Sequence, residues 1–353
     1  MAADIHSKDL KVGVGKQAAW ATPLTEIGTY YLMPYDLTGV SIEPAVEVGQ
    51  FAYYTAGGIM EENKRKYIEA TSGLSKINFA GVAMVERLAP HFVGALQIIT
   101  EAALTPFAKD MYPADTIIDF AADGGRLHTI AAYTFSGANY DGILLDNAII
   151  DNLTFTVDAN AIGISRLARI AGSWVGNKMT PTQDLSGATF TALPATPYYF
   201  PNALNPTHLT WVLNLVINGV TYSATAFRRF EFAINNNVYS DIKTTGGKAN
   251  NYKMNPEIIY TIDLPYNTTT HKIFDGFVAG GNVAMDFGNG TGNGTAGIGG
   301  DIKFDTENGV LISNPQVYEG DYKAIRIQFK ALRPSAGWNA QEVGLCDDTD
   351  WGY

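Results

Sequence analysis

The chain has 353 residues, 46% of them hydrophobic, enough for a large core, which excludes a disordered chain. Charged residues make up only 17%, and 35 acids against 24 bases leave a net charge of −11, which excludes strong gripping of a phosphate backbone. The single cysteine, Cys346, excludes an intrachain disulfide and a cysteine-based zinc site.

The low charge fits two arrangements: surface buried against other subunits, or a Thr/Asn/Gly-rich β protein whose uncharged polar groups replace ions. The opening Met1-Ala2-Ala3-Asp4-Ile5-His6 has no basic region followed by an apolar run, so no secretion signal is expected. No stretch reaches the length of an apolar membrane span, and folding in a reducing cytoplasm is expected.

In chain order, a strand is expected near Thr38 to Val48. A polar excursion over 45–72 follows, holding Phe51, Tyr53 and Tyr54 and then Glu61-Glu62-Asn63-Lys64-Arg65-Lys66. Its alternating sign reads as a salt-bridged arm at a protein interface or as a solvated hairpin tip. A strand near Lys76 to Ala80 and a helix over Ala83 to Ile99 come next, then strands over Ile143 to Asp158 and Ser165 to Trp174. Leu153, Phe155 and Val157 alternate with Thr154, Thr156 and Asp158, the period-two pattern of a half-buried antiparallel strand. The Pro/Thr-rich stretch 179–206 reads as a boundary.

The second half repeats the order. Phe230, Phe232 and Ile234 alternate with Arg229, Glu231 and Ala233, and Asn235-Asn236-Asn237 reads as a strand-end cap. An excursion over 236–256 follows, with Lys243 and Lys248. Then come a strand over Glu257 to Leu264, a short helix over Thr269 to Gly280, and strands over Gly299 to Asp305, Gly309 to Ile312 and Tyr322 to Leu332. The run Gly288 to Gly300 lacks a basic residue and a following helix, so it reads as a hairpin loop and not a phosphate loop. Asp347, Asp348 and Asp350 read as a solvated acidic tail.

The expected fold is therefore mainly β, as two units over 1–178 and 207–335, a linker over 179–206 and a tail over 336–353. No H-E-x-x-H pair, G-x-S-x-G elbow or G-K-[ST] loop occurs, so no enzyme, metal or cofactor is expected.

Gly13-Val14-Gly15-Lys16-Gln17-Ala18-Ala19-Trp20-Ala21-Thr22-Pro23 resembles the opening of siphophage tail tube proteins. Gln17, Ala18 and Ala21 depart from the usual acidic, polar and glycine residues there. Asp146 to Val157 resembles a central strand of the same proteins, and Phe230 to Val238 resembles the strand before their long hairpin. The resemblance implies β-sandwiches, each flanked by a helix and a long hairpin arm. It implies rings of subunits, trimeric where one chain holds two units, stacked into a tube. The implied setting is the virion, assembled in the host cytoplasm. The implied partners are other copies of the chain, other tail proteins at the tube ends and genomic DNA passing without specific binding, with no membrane.

On that reading Phe51, Tyr53, Tyr54, Lys64, Arg65, Lys243 and Lys248 are arm contacts. Glu43, Glu47, Glu231 and Asp263 are lumen candidates, with Arg228 and Arg229 close enough to pair with Glu231. A different class is a decoration or carbohydrate-binding fibre module, for which Tyr198, Tyr199 and Phe200 are the candidate aromatics.

Overall fold

Strands with one apolar and one polar face stack into layers because each must hide its apolar side. The computed structural model describes residues 10–36, 38–44, 47–54, 60–69, 74–101, 107–114, 126–136, 139–159, 167–195, 211–224, 227–239, 252, 254–273, 281–289, 301–313, 316–319, 323–333, 341–347 and 351. The chain is mainly β, as expected.

The central layer is an eight-stranded antiparallel sheet. Its order is β3 (Ser41–Glu43), β6 (Ser75–Val82), β11 (Arg169–Gly176), β10 (Asn139–Asp158), β16 (Arg229–Asn235), β17 (Glu257–Pro265), β21 (Lys323–Ala331) and β20 (Gln316–Glu319). Four strands come from each half of the chain, and β10 and β16 join them.

Facing the second half of that sheet is another. It runs β15 (Val220–Ala224), β14 (Val212–Ile217), β18 (Asn282–Gly288), β19 (Asp301–Leu311), β22 (Gln341–Asp347), β8 (Phe107–Pro113) and β7 (Gln97–Glu101). Phe230 stacks on Phe287 at 3.7 Å between ring centroids, and Phe155 and Phe232 each lie 5.1 Å from Phe304. Such contacts supply both buried area and ring geometry.

Facing the first half is a third sheet: β12 (Lys178–Asp184), the start of β10, β9 (His128–Ser136), β1 (Leu10–Lys16), β2 (Thr29–Leu32) and β13 (Thr189–Thr191). This sheet curls, because β12 and β13 occupy its opposite edges yet are joined by residues 185–188. Tyr30, Tyr133, Leu144 and Leu185 fill the curl as a small core.

Pairings repeat in chain order. β1–β2, β1–β9, β9–β10, β10–β12, β10–β11, β6–β11 and β3–β6 match β14–β15, β14–β18, β18–β19, β19–β22, β19–β21, β17–β21 and β16–β17, all antiparallel. β10 and β19 are also alike in passing from one layer to the next, and one apolar core runs through both halves.

Several elements differ from expectation. The first helix is only α1 (Ala89–Leu96), preceded by a 3-10 turn at Val85–Arg87. All eight of its residues are buried, so it is a plug between layers and not an amphipathic surface helix. Gln97 stops it with a left-handed φ of 74°, its amide donating to Gly94 O at 2.7 Å. Gly94 is required by space, since a Cβ there would lie 2.9 Å from the Trp174 ring. Of the second helix, a 3-10 turn at Thr270–Lys272 is described, and 274–280 lie outside the described residues. The two strands expected over 299–312 are one, β19.

The stretch 179–206 begins with strands β12 and β13. The expected acidic tail is corrected most clearly: β22 sits between β19 and β8, with Asp347 only 1% exposed and 2.8 Å from buried Lys109. A paired carboxylate inside a strand does not behave as a solvated tail. Asp348 and Asp350 lie outside the described residues.

Candidate functional site

The central sheet turns its apolar side to the core and a polar side outward. Ile77, Phe79, Phe155, Phe230, Tyr260 and Ile327 are buried on the first side. On the other, the side chains form rows across strand boundaries, as period-two strands in register must. Ala171, Thr154, Ala233, Ile259 and Lys330 make one row. Arg169, Thr156, Glu231, Thr261 and Gln328 make the next, in which Gln328 Nε2 donates to Thr261 Oγ1 at 3.2 Å. Asp158, Arg229, Asp263 and Arg326 make a third, of alternating sign.

The ions on this face are paired. Arg326 reaches Asp263 through two hydrogen bonds of 2.8 Å, and Asp263 is only 2% exposed. Arg229 holds Glu231 at 2.5 Å, Lys330 holds Glu257 at 2.7 Å and Lys76 holds Asp151 at 3.3 Å. Glu43 sits opposite Lys76 across β3 and β6 and accepts from Asn78 Nδ2 at 2.6 Å. Arg169 binds Asp36. A two-bond guanidinium–carboxylate pair around a buried acid is strong, whereas the exposed pairs contribute about 1 kcal/mol or less each.

At the seam of the two halves, Asn152 and Asn235 lie side by side on β10 and β16. Asp151, Asn237 and Glu257 complete a shallow polar depression of about 620 Å³ there. Asn236, fully buried, donates to Ala95 O and Ile150 O, both at 2.8 Å, while Asn237 takes a left-handed φ of 47°. The strand-end cap read from the asparagine run is what these residues form.

Three of the lumen candidates, Glu43, Glu231 and Asp263, share this one polar face. Arg229 makes an ion pair with Glu231. The fourth, Glu47, begins β4 (Glu47–Tyr54), which pairs with β5 (Met60–Glu69) as a separate two-stranded hairpin. That hairpin carries the first arm's residues: Phe51 opposite Asn63, Tyr53 opposite Glu61 and Tyr54 opposite Met60, with Lys64 and Arg65 on β5. Lys243 and Lys248, expected on the second arm, lie outside the described residues, as do Tyr198, Tyr199 and Phe200.

Sequence reading set Arg229 beside Glu231 but left Arg326 and Lys330 out of the face, although period two in Lys323–Ala331 already puts both on the polar side. It also missed a buried chain in which Trp174 Nε1 donates to Tyr35 Oη at 3.1 Å and Tyr35 Oη meets His91 Nε2 at 2.7 Å. Nδ1 of His91 lies 2.9 Å from Arg87 O, a carbonyl that can only accept, so Nδ1 carries a proton. Burial lowers its pKa to about 4, and burial with the neighbouring His91 lowers that of His128 to about 3. Among the described residues no group of three or more His, Cys, Asp or Glu is placed to hold a metal.

Among the described residues, β3 pairs only with β6 and β20 only with β21. A broad polar sheet face over a packed apolar core, bounded by such edges, defines a β-sandwich protein. The profile of the phage tail tube protein family matches residues 17–331, and the chain belongs to that family. It is a structural protein of the phage tail and part of the virion. Comparison with curated proteins gives no match. No helix among the described residues is long and apolar enough to cross a membrane.

Proposed function

We propose that this chain assembles into trimeric rings, that the rings stack into the tail tube of a long-tailed, siphophage-type virion, and that genomic DNA crosses its lumen during ejection. The observation that carries this reading is the eight-stranded sheet together with the family match.

Within one chain, β10 of the first half pairs with β16, the first sheet strand of the second half. In the repeated pairing order β3 corresponds to β16, and β20 lies at the end that corresponds to β10. The junction between halves thus supplies a template for the junction between copies: β20 of one chain adds to β3 of the next. Head-to-tail addition of this kind closes a ring when its rotation closes, and it removes both exposed edges. The polar face then lines the bore. The same pairing order supports two duplicated units in one chain, and the β4–β5 hairpin is the arm that reaches neighbouring subunits.

Negative-stain microscopy of the purified protein tests the reading: stacked rings or tubes are expected. Ile42→Pro removes a backbone donor from β3, the edge that must pair. It is expected to leave folded protein by circular dichroism and to abolish tubes. Tubes formed as readily by that variant would overturn edge pairing through β3.

A further inference from the structure

We propose that Lys109 and Asp347 condense, within the folded chain, into a side-chain amide bond, with Glu101 as the catalytic residue that relays a proton. The bond ties β8 of the first half to β22 of the second, between residues 238 apart in sequence. It does not depend on how copies of the chain assemble.

The site is a set of ions on the apolar side of a sheet. Lys109 shares the buried side of β8 with Met111, and Asp347 shares that of β22 with Val343 and Leu345. Lys109 stands opposite Glu101 on β7 and opposite Leu345 on β22, with Asp347 the next residue along that face. Nζ of Lys109 lies 2.8 Å from Oδ1 of Asp347 and 3.3 Å from Oε1 of Glu101. The side chains of Lys109 and Asp347 are fully buried, and that of Glu101 is nearly so. The Phe107 ring lies 5.3 Å from the same nitrogen.

As an ion pair this arrangement stabilises little, because desolvation of the charges offsets most of their attraction. An amine held against a carboxyl with water kept out is also the arrangement from which an amide forms. Fixed contact supplies an effective concentration beyond any in solution, and burial removes competing water. The amide is neutral, so condensation removes two desolvated charges.

The step balances. One proton of the ammonium passes to Asp347, leaving a neutral amine against a carboxylic acid. The Nζ lone pair adds to Cγ, and the carbonyl electrons move onto oxygen. Glu101 takes a second proton from Nζ and delivers it to the hydroxyl. The C–O bond breaks, the carbonyl re-forms and water leaves. One C–N bond replaces one C–O bond, and Glu101 ends as the carboxylate it was. Once formed, the bond keeps β22 between β19 and β8 whatever opens the rest of the sheet.

Mass spectrometry of the purified full-length chain tests the proposal. The chain is expected to be lighter than its sequence by one water, and the Lys109→Arg chain is not. Trypsin cannot cut at an acylated lysine, so a branched peptide joining residues 88–126 to residues 331–353 is expected. Glu101→Gln is expected to stay folded by circular dichroism and to condense on the order of a hundredfold more slowly. It is read as uncondensed chain at a time when the parent is complete. A parent chain of full sequence mass would reduce the site to an ion pair and overturn the proposal. Loss of water carried on a linear peptide, as from an aspartyl succinimide, would overturn it equally. Condensation of Glu101→Gln at the parent rate would remove Glu101 from the step.

Discussion

At the scale of single residues, the ion pair between Asp263 and Arg326 is the one on the polar face with the largest energetic consequence. Asp263 is nearly inaccessible, so Arg326→Gln leaves a buried carboxylate without its two-bond partner. The expected loss is about 3–5 kcal/mol, read as a lower urea midpoint, and Asp263→Asn in the same chain should recover most of it. The exposed pair of Lys330 and Glu257 behaves otherwise, and Lys330→Gln should cost about 1 kcal/mol or less.

The buried histidines set the pH response of the unassembled chain. Their folded pKa values of about 4 and about 3 lie below the ordinary 6.5, so the unfolded chain takes up protons first on acidification. Stability is therefore complete above pH 6.5 and falls as pH descends toward 4, by roughly 2 kcal/mol per histidine at pH 5. Glu342 acts in the opposite sense. Burial, and then the facing Asp110, raise it to about 7, so its contribution is present below pH 4.5 and lost as pH rises through 7. Glu342→Gln should raise stability at pH 8 by about 1 kcal/mol after solvent screening and change little at pH 4. Urea unfolding at several pH values checks both signs.

At the scale of elements, the half-buried strands were legible because their two faces differ in kind. Leu153 to Asp158, Phe230 to Ile234 and Ile325 to Lys330 all alternate as the sheet requires, so the central sheet could be read with its polar side. The helices were overestimated because burial on all sides removes the stripe that marks a helix boundary: α1 is apolar all round and ends at a left-handed Gln97. The hairpin of β14 and β15 was also legible and passed over. Asn218 and Gly219 both have positive φ, 51° and 79°, the two-residue turn that Asn-Gly favours. β22 was hidden by the acids around it, since a buried Asp347 is intelligible only once Lys109, far away in sequence, is brought to it.

The separate β4–β5 hairpin was read correctly as an excursion between two strands. Because it forms its own small sheet, removing Gln50 to Ile68 should leave a soluble folded chain by gel filtration and circular dichroism. The shortened chain should give no tubes by microscopy. Normal polymerisation would remove the arm from assembly.

At the scale of the whole molecule, one pairing scheme occurs twice, and the two occurrences join through β10 and β16. A scheme that can join itself once inside a chain has the means to join itself again between chains, which is why the edges at β3 and β20 matter more than any pocket. The faint sequence likeness of the halves did not display this, because the order of strand pairing repeats while the paired residues differ: Glu43 opposite Lys76 joins β3 to β6, and Asn235 opposite Glu257 and Arg229 opposite Asp263 join β16 to β17. The most direct test is a helical reconstruction of tubes grown from the purified chain, at a resolution that separates strands. The account predicts three chains per ring, β20 of each hydrogen-bonded to β3 of the next, and Thr154, Glu231 and Arg326 facing the bore. A tube whose bore is lined by any other surface, or whose neighbouring sheets do not pair through β3 and β20, would contradict it.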